Sequence, residues 1–245
     1  MNSYTLCTIP AKRFAEMLKQ ISYCAERNPN LQSGRISLSC IHIVIEGECM
    51  RMTCTDGFRY AAAWEPVEAG DTPSFAVHAT HDANLVTSAK SADHVVLSRI
   101  GEQLEVEIVT KDDSVIYKLP IIKEAHDISG LQPEKPMVFT DVTADRLLMH
   151  AKAWPKEKDI VIKAESDIVL AEEADTGPSD LRDIVVINEC EINDMPPMKM
   201  QRKFLVDAAA RVPKKSRIGF SERMLVITDD EQMPRVLHAM LKLKK

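Results

Sequence analysis

Two histidines spaced as His78-x-x-His81 are the nearest approach to a metal motif in this chain of 245 residues. A metal site needs imidazole, thiolate or carboxylate ligands that converge. Here the pair straddles an expected strand end and helix start, and no Cys or carboxylate stands at ligand spacing, so neither a metal nor another cofactor is expected. The acidic groups Asp112-Asp113 and Asp229-Asp230-Glu231 fall at hairpin turns, where a short carboxylate bonds nearby backbone N–H groups. The phosphate-cradling, nucleophile-elbow and dinucleotide fingerprints are absent. With no catalytic constellation, the chain is expected not to be an enzyme. Its six cysteines, Cys7, Cys24, Cys40, Cys49, Cys54 and Cys190, include no C-x-x-C pair and are expected to be reduced, mostly buried thiols.

The remaining chemistry is electrostatic, and it depends on where helices lie. A strand over Tyr4–Ile9 leads to a helix opening at Pro10 and running to about Arg27. Strand alternation at Ile36, Leu38 and Cys40 then slips phase to Ile41, Ile43 and Ile45, which suggests a bulge or bend. The Met50–Thr55 strand enters a predicted two-residue type I′ turn at Asp56-Gly57, with Phe58 and Tyr60 alternating beyond it. A strand over Phe75–His78, a helix capped by Thr80 and ending near Ser91, and a meander to Leu119 complete the first half. The polar segment 125–136, with Gly and two prolines, is the expected linker between domains 1–124 and 137–245. Beyond it the plan repeats: a strand over Val138–Thr140, a helix capped by Asp141 or Thr143 and ending near Trp154, then three strands. A strand over Met195–Met200, a helix from Gln201 to about Val212 and three more strands close the chain. Four helix-plus-strand units emerge, an α+β arrangement of antiparallel sheets with internal repetition.

Net charge is −6, which by itself disfavours a nucleic-acid partner, yet the charge is segregated. The four helical segments carry +2, −1, +1 and +6 in order, so the rest of the chain carries −14. Basic helices on an acidic protein suit contact with a polyanion, because phosphate affinity comes from Lys and Arg. Solubility is the ordinary alternative for any one of these side chains. On the first helix Phe14, Met17, Leu18 and Ile21 point inward, leaving Lys12, Lys19, Tyr23 and Arg27 outward together with Glu16. The second offers Lys90. The third offers Lys152 and Lys156, with Met149 exposed. On the fourth, Phe204, Leu205, Ala208, Ala209 and Val212 form the core stripe, and Lys199, Lys203 and Lys214 lie opposite. With Arg202, Arg211 and the turn residue Arg59, these are the candidate DNA contacts.

The run SGRISLSC followed by MRMTCTDGFRYA resembles the middle domain of the bacterial DNA sliding clamp, and YKLPIIKEAHDISGL is similar to the strand leading out of it. MKMQRKFLVDAAARV and HAMLKLKK resemble, by order and pattern, the helix region and closing strand of that family's C-terminal domain. The resemblance implies a DNA clamp fold of two domains, each a doubled helix-plus-sheet unit, with sheets outside and helices lining a ring. It implies a processivity factor that encircles duplex DNA without sequence preference, tethers a DNA polymerase and binds peptides of polymerase and clamp loader. A chain of two such domains needs three copies to make six, so a head-to-tail homotrimer is implied. Met240, Leu241 and Leu243 occupy the place of the family's peptide pocket, although the usual Met-Pro-Met-Arg-Leu-like end is replaced by Ala-Met-Leu-Lys-Leu. A clamp-derived protein-interaction scaffold that does not encircle DNA is the alternative. With no run approaching about 18 apolar residues and no leader-like start, no membrane partner is expected. A cytoplasmic setting, in a bacterial or phage-infected cell, is expected instead.

Overall fold

A computed structural model describes residues 3–26, 35–69, 72–126, 128, 131–133, 138–154, 159–164, 167–173, 181–189, 195–221, 223–230 and 233–241. The chain divides into two compact units, Met1–Leu131 and Gln132–Lys245. In the first, β1 (Ser3–Pro10), α1 (Ala11–Ile21), β2 (Cys40–Glu46), β3 (Cys49–Thr55), β4 (Arg59–Pro66) and the short β5 (Glu68–Ala69) come first. They are followed by β6 (Thr72–His78), α2 (Asp82–Ala89), β7 (His94–Ile100), β8 (Gln103–Val109) and β9 (Ser114–Pro120). The second unit runs β10 (Val138–Thr143), α3 (Ala144–Ala153), β11 (Asp159–Ala164), β12 (Asp167–Glu173) and β13 (Leu181–Glu189). It then runs β14 (Met195–Gln201), α4 (Arg202–Ala209), β15 (Arg217–Phe220), β16 (Met224–Thr228) and β17 (Val236–Leu241). Each unit is therefore a strand-helix-three-strand motif used twice.

The two motifs of a unit exchange their first strands. In the first unit β1 pairs with β7 of the second motif, while β6 pairs with β2 of the first. In the second unit β10 pairs with β15 and β14 with β11. All these pairings are antiparallel, so neither motif completes a sheet without the other.

This exchange also decides how the first helix of each unit begins. Pro10 is the last residue of β1 rather than the first of α1, and the Ala11 N–H donates to Asp93 O at 3.1 Å, just ahead of β7. At the equivalent place in the second unit, Ala144 N donates to Ser216 O at 2.8 Å, just ahead of β15. Orphan N–H groups of a first turn are thus met by backbone of the other motif. None of the four α-helices among the described residues carries a side-chain cap bond, so the caps expected from Thr80, Asp141 and Thr143 do not form.

The core stripes are as spaced. Phe14, Met17, Leu18 and Ile21 are buried on α1, and Phe204, Leu205, Ala208 and Ala209 on α4. Burial of each large side chain contributes about 1.5–3 kcal/mol. Two local expectations are sharpened or corrected. Of the bulge or bend expected at the phase slip before β2, the structure has the bend, a 3-10 turn at Ile36–Ser39. The helix expected to reach Arg27 ends at Ile21, followed by a 3-10 turn at Ser22–Cys24, and Tyr23 packs partly buried against the core instead of facing out.

Cys7, Cys24, Cys40, Cys49 and Cys54 are thiols rather than disulfides, and all but Cys49 are buried. Burial pushes the Cys7 thiol up to about 11, which keeps it protonated and inert near neutral pH. Cys190 lies outside the described residues. Among the described residues, no helix is long and apolar enough to cross a membrane.

Candidate nucleic-acid interface

The basic residues fall into two physical groups. The first is spent inside the fold. Arg202, at the start of α4, donates from Nε to Ala151 O at 2.8 Å and from Nη2 to Lys152 O at 2.9 Å, closing the C-terminal carbonyls of α3. Arg211 turns back on α4, its Nη1 donating to Asp207 O at 2.8 Å and lying 3.4 Å from Asp207 Oδ1.

Arg59 is committed to its own hairpin. Paired Thr55 and Tyr60 enclose four residues rather than two, and Asp56 Oδ1 accepts from Phe58 N at 3.0 Å and Arg59 N at 2.8 Å. Gly57 sits at φ +87°, where a side chain would be strained. Arg59 Nε donates to Asp56 Oδ2 at 2.8 Å, and the guanidinium lies 5.2 Å from the centroid of the Tyr23 ring. Burial works against its charge, but the Asp56 carboxylate and neighbouring groups outweigh it and hold the Arg59 pKa above its usual value. These contacts place Arg59 in the hairpin's own support.

The second group is exposed. Lys12 and Lys19 stand on α1, Lys90 at the end of α2, Lys152 on α3 and Lys203 on α4, all in solvent, with Lys214 in the turn after α4. Arg146 on α3 and Lys215 beside Lys214 are exposed too and add to the same charge. Lys199 is not helical: it lies half-buried on β14, with Nζ 3.8 Å from Asp159 Oδ2. Arg27 and Lys156 lie outside the described residues. The opposing charge on these faces is small, with Glu16 3.6 Å from Arg13, Asp207 taken by Arg211, and Asp145 exposed. What the exposed lysines offer is a set of flexible point charges able to meet phosphates without reading bases.

An arginine with a different task is Arg13 on α1. Its Nε is 2.6 Å from Glu65 Oε2 and its Nη2 donates to Trp64 O at 2.9 Å, so it ties α1 to β4 across 52 positions of sequence. No local pattern signals that pairing.

At the chain's far end, Met240 is wholly buried on β17 opposite Leu225. Leu241 is the last residue of that strand, paired with Met224, and Leu243 lies outside the described residues. The acidic turn residues bond backbone as expected: Asp229 Oδ1 accepts from Arg235 N and Val236 N, each at 2.9 Å, and Asp113 Oδ1 from Ser114 N at 2.7 Å. No group of three or more His, Cys, Asp or Glu among the described residues is arranged to hold a metal ion.

No protein-family model matches the chain, and no curated protein matches it. Solved structures do. The DNA polymerase III β subunit of Thermotoga maritima matches with a TM-score of 0.80 at 15% identity, over 100% of this chain and 67% of that one. The sliding clamp (DNA polymerase III subunit β) of Pseudomonas aeruginosa matches at 0.77 and 12%, over 100% and 66%. The polymerase III β subunit of Caulobacter crescentus matches at 0.80 and 14%, over 100% and 67%. The chain has the sliding-clamp fold, in mixed helices and antiparallel sheets, and spans about two thirds of the length of those structures.

Proposed function

We propose that this chain is a sliding clamp: a protein without catalytic chemistry of its own that encircles duplex DNA and tethers a polymerase to it. The observation that carries the reading is the clamp fold over the whole chain, with exposed lysines on the helices of both units. A sliding ring needs loose, sequence-independent phosphate contacts, which lysines supply and which tight base recognition would defeat. The DNA-facing set is Lys12, Lys19, Lys90, Lys152, Lys203 and Lys214, repeated in every copy around the ring.

Three copies of a two-unit chain supply six units, and a head-to-tail trimer is the assembly that fits this count. Strand β9 supports such an association. It is an edge of its sheet as described, with Val115 and Ile116 about half exposed, and an unpaired apolar edge is a ready template for another strand. Polymerase and loader peptides are the proposed protein partners, at a site on the second unit near the end of β17.

The test is retention on nicked circular duplex DNA before and after linearisation. An encircling ring stays on the circle and is released through the new ends. Equal retention on both forms, or no retention on the circle, counts against encirclement and favours a scaffold that binds proteins alone.

A further inference from the structure

We propose that the first unit carries, on the face of its sheet opposite α1 and α2, a binding cleft for a small organic oxyanion: a phosphate or carboxylate borne on an apolar body. The site is separate from the helix faces and does not depend on the clamp reading.

The floor follows from strand register. Residues Ile41, Ile43 and Ile45 of β2 and Met50, Met52 and Cys54 of β3 point into the core, so the alternate residues point the other way. Cross-strand pairing sets Val44, Arg51 and Trp64 in one row, and Ala76, His42 and Thr53 in the next. The wall is the segment that follows β9. Ile121 N donates to Glu102 O at 2.9 Å, at the turn between β7 and β8, while Ile122 N donates to Ala76 O at 2.8 Å on β6. Successive N–H groups thus fasten this strap to both sheets of the unit, and Ile121, Ile122, Lys123 and Ala125 line the cleft from its side. The space left is a cleft of about 380 Å³, within the range of small-ligand sites.

Its chemistry is one-sided. Among the described residues, Arg51, Arg99, Lys123 and His42 line it and no carboxylate does. Glu102, on the rim, is ion-paired with Lys123. Arg99 Nε donates to Gly101 O at 3.1 Å, which anchors the side chain by one of its five N–H groups. His42 is buried, and its Nε2 lies 3.0 Å from Ser37 O, so that nitrogen carries the proton and the ring is fixed. On a chain of net charge −6, a concave site lined by cations is where an oxyanion gains most. Guanidinium groups match the geometry of phosphate and carboxylate. Val44, Ile121, Ile122 and Ala125 provide the apolar surface, which a bare inorganic ion would leave unused.

Trp64 stands beside Arg51 and reports the site. In a Trp154→Phe background, titration with phenyl phosphate at low ionic strength is expected to change Trp64 emission saturably. Inorganic phosphate should bind at least about tenfold more weakly, and benzyl alcohol, which lacks the charge, should give no saturable change. Arg99→Gln and Arg51→Gln should each weaken phenyl phosphate about tenfold, as expected for loss of a charge-assisted bond, with circular dichroism unchanged. Should Arg51→Gln disturb folding, Arg99→Gln near the end of β7 decides the matter. Failure of phenyl phosphate to saturate, equal binding by Arg99→Gln, or equal binding of inorganic phosphate overturns the proposal.

Discussion

The two units use the same strand exchange and the same backbone start for their first helix, yet each fixes its helix with an arginine in a different chemical setting. In the first, Arg13 reaches from α1 to Glu65, which is 9% exposed, and to a strand carbonyl. In the second, Arg202 reaches from α4 to two neutral carbonyls at the end of α3. The first lock neutralises a largely buried charge, and the second completes a helix end that water can reach. The difference teaches that a basic helix is not a uniform surface. The arginines with fold contacts, Arg13, Arg202 and Arg211, are consumed by the protein, while the helix lysines are presented to solvent; Arg146 on α3 is the exception. A rigid fork of five donors suits fixed internal acceptors, and a hydrated ammonium on a flexible stem does not.

The largest effect is expected from Arg13→Met, which takes the guanidinium at 2.6 Å away from a largely buried Glu65 carboxylate. Such a change costs about 3–5 kcal/mol, read as urea unfolding followed by Trp64 in a Trp154→Phe background. The double variant Arg13→Met with Glu65→Leu should recover most of that cost. A deficit that persists unchanged in the double variant would mean that the carbonyl bond to Trp64, and not the charge, is what matters.

Alkaline pH gives the next effect, through a buried thiol of the first unit. The Cys7 thiol titrates near 9.0 when exposed and at about 11 when folded. The folded state therefore holds its proton more tightly, and the associated stability is complete below pH 9 and disappears as pH rises towards 11. The slope is about 1.4 kcal/mol per pH unit, or about 2–3 kcal/mol over that window. Burial raises Cys40 and Cys49 in the same direction. A Cys7→Ala variant should flatten this slope, and an equal slope with and without the thiol would contradict its burial as a protonated group.

Arg202→Met should cost about 1–2 kcal/mol, read by Trp154 in a Trp64→Phe background, and should leave the first unit's unfolding unchanged. A cost equal to that of Arg13→Met would erase the distinction between the two locks. The smallest effects on stability are expected at Lys12, Lys19, Lys152 and Lys203, where replacement by Ala should stay within about 0.5 kcal/mol. Their removal should instead flatten the salt dependence of DNA binding, by about 0.9 in log–log slope for each phosphate that is no longer neutralised. An unchanged slope would contradict the proposed contact of these lysines with DNA.

These contrasts explain what could be read along the chain. Repetition of one helix with several strands is written in local periodicity, so the four motifs, the Phe14–Ile21 stripe and the turn roles of Asp113 and Asp229 follow from short-range rules. The exchange of β1 and β6, and of β10 and β14, is a long-range pairing with no local mark. At α3 the expected cap failed for the same reason: the Ser216 carbonyl, distant in sequence, meets the first turn where Thr143 was expected to do so. In the candidate interface, a charge tally weighs Arg202 and Lys203 alike. Only the fold brings Arg202 against a carbonyl 51 positions away and leaves its neighbour in water.

Sedimentation equilibrium at micromolar protein tests the central claim most directly, because a ring of six units requires a closed assembly. The clamp reading predicts a single species of three times the chain mass, unchanged on further dilution across the micromolar range. A monomer that persists both alone and with duplex DNA would contradict it.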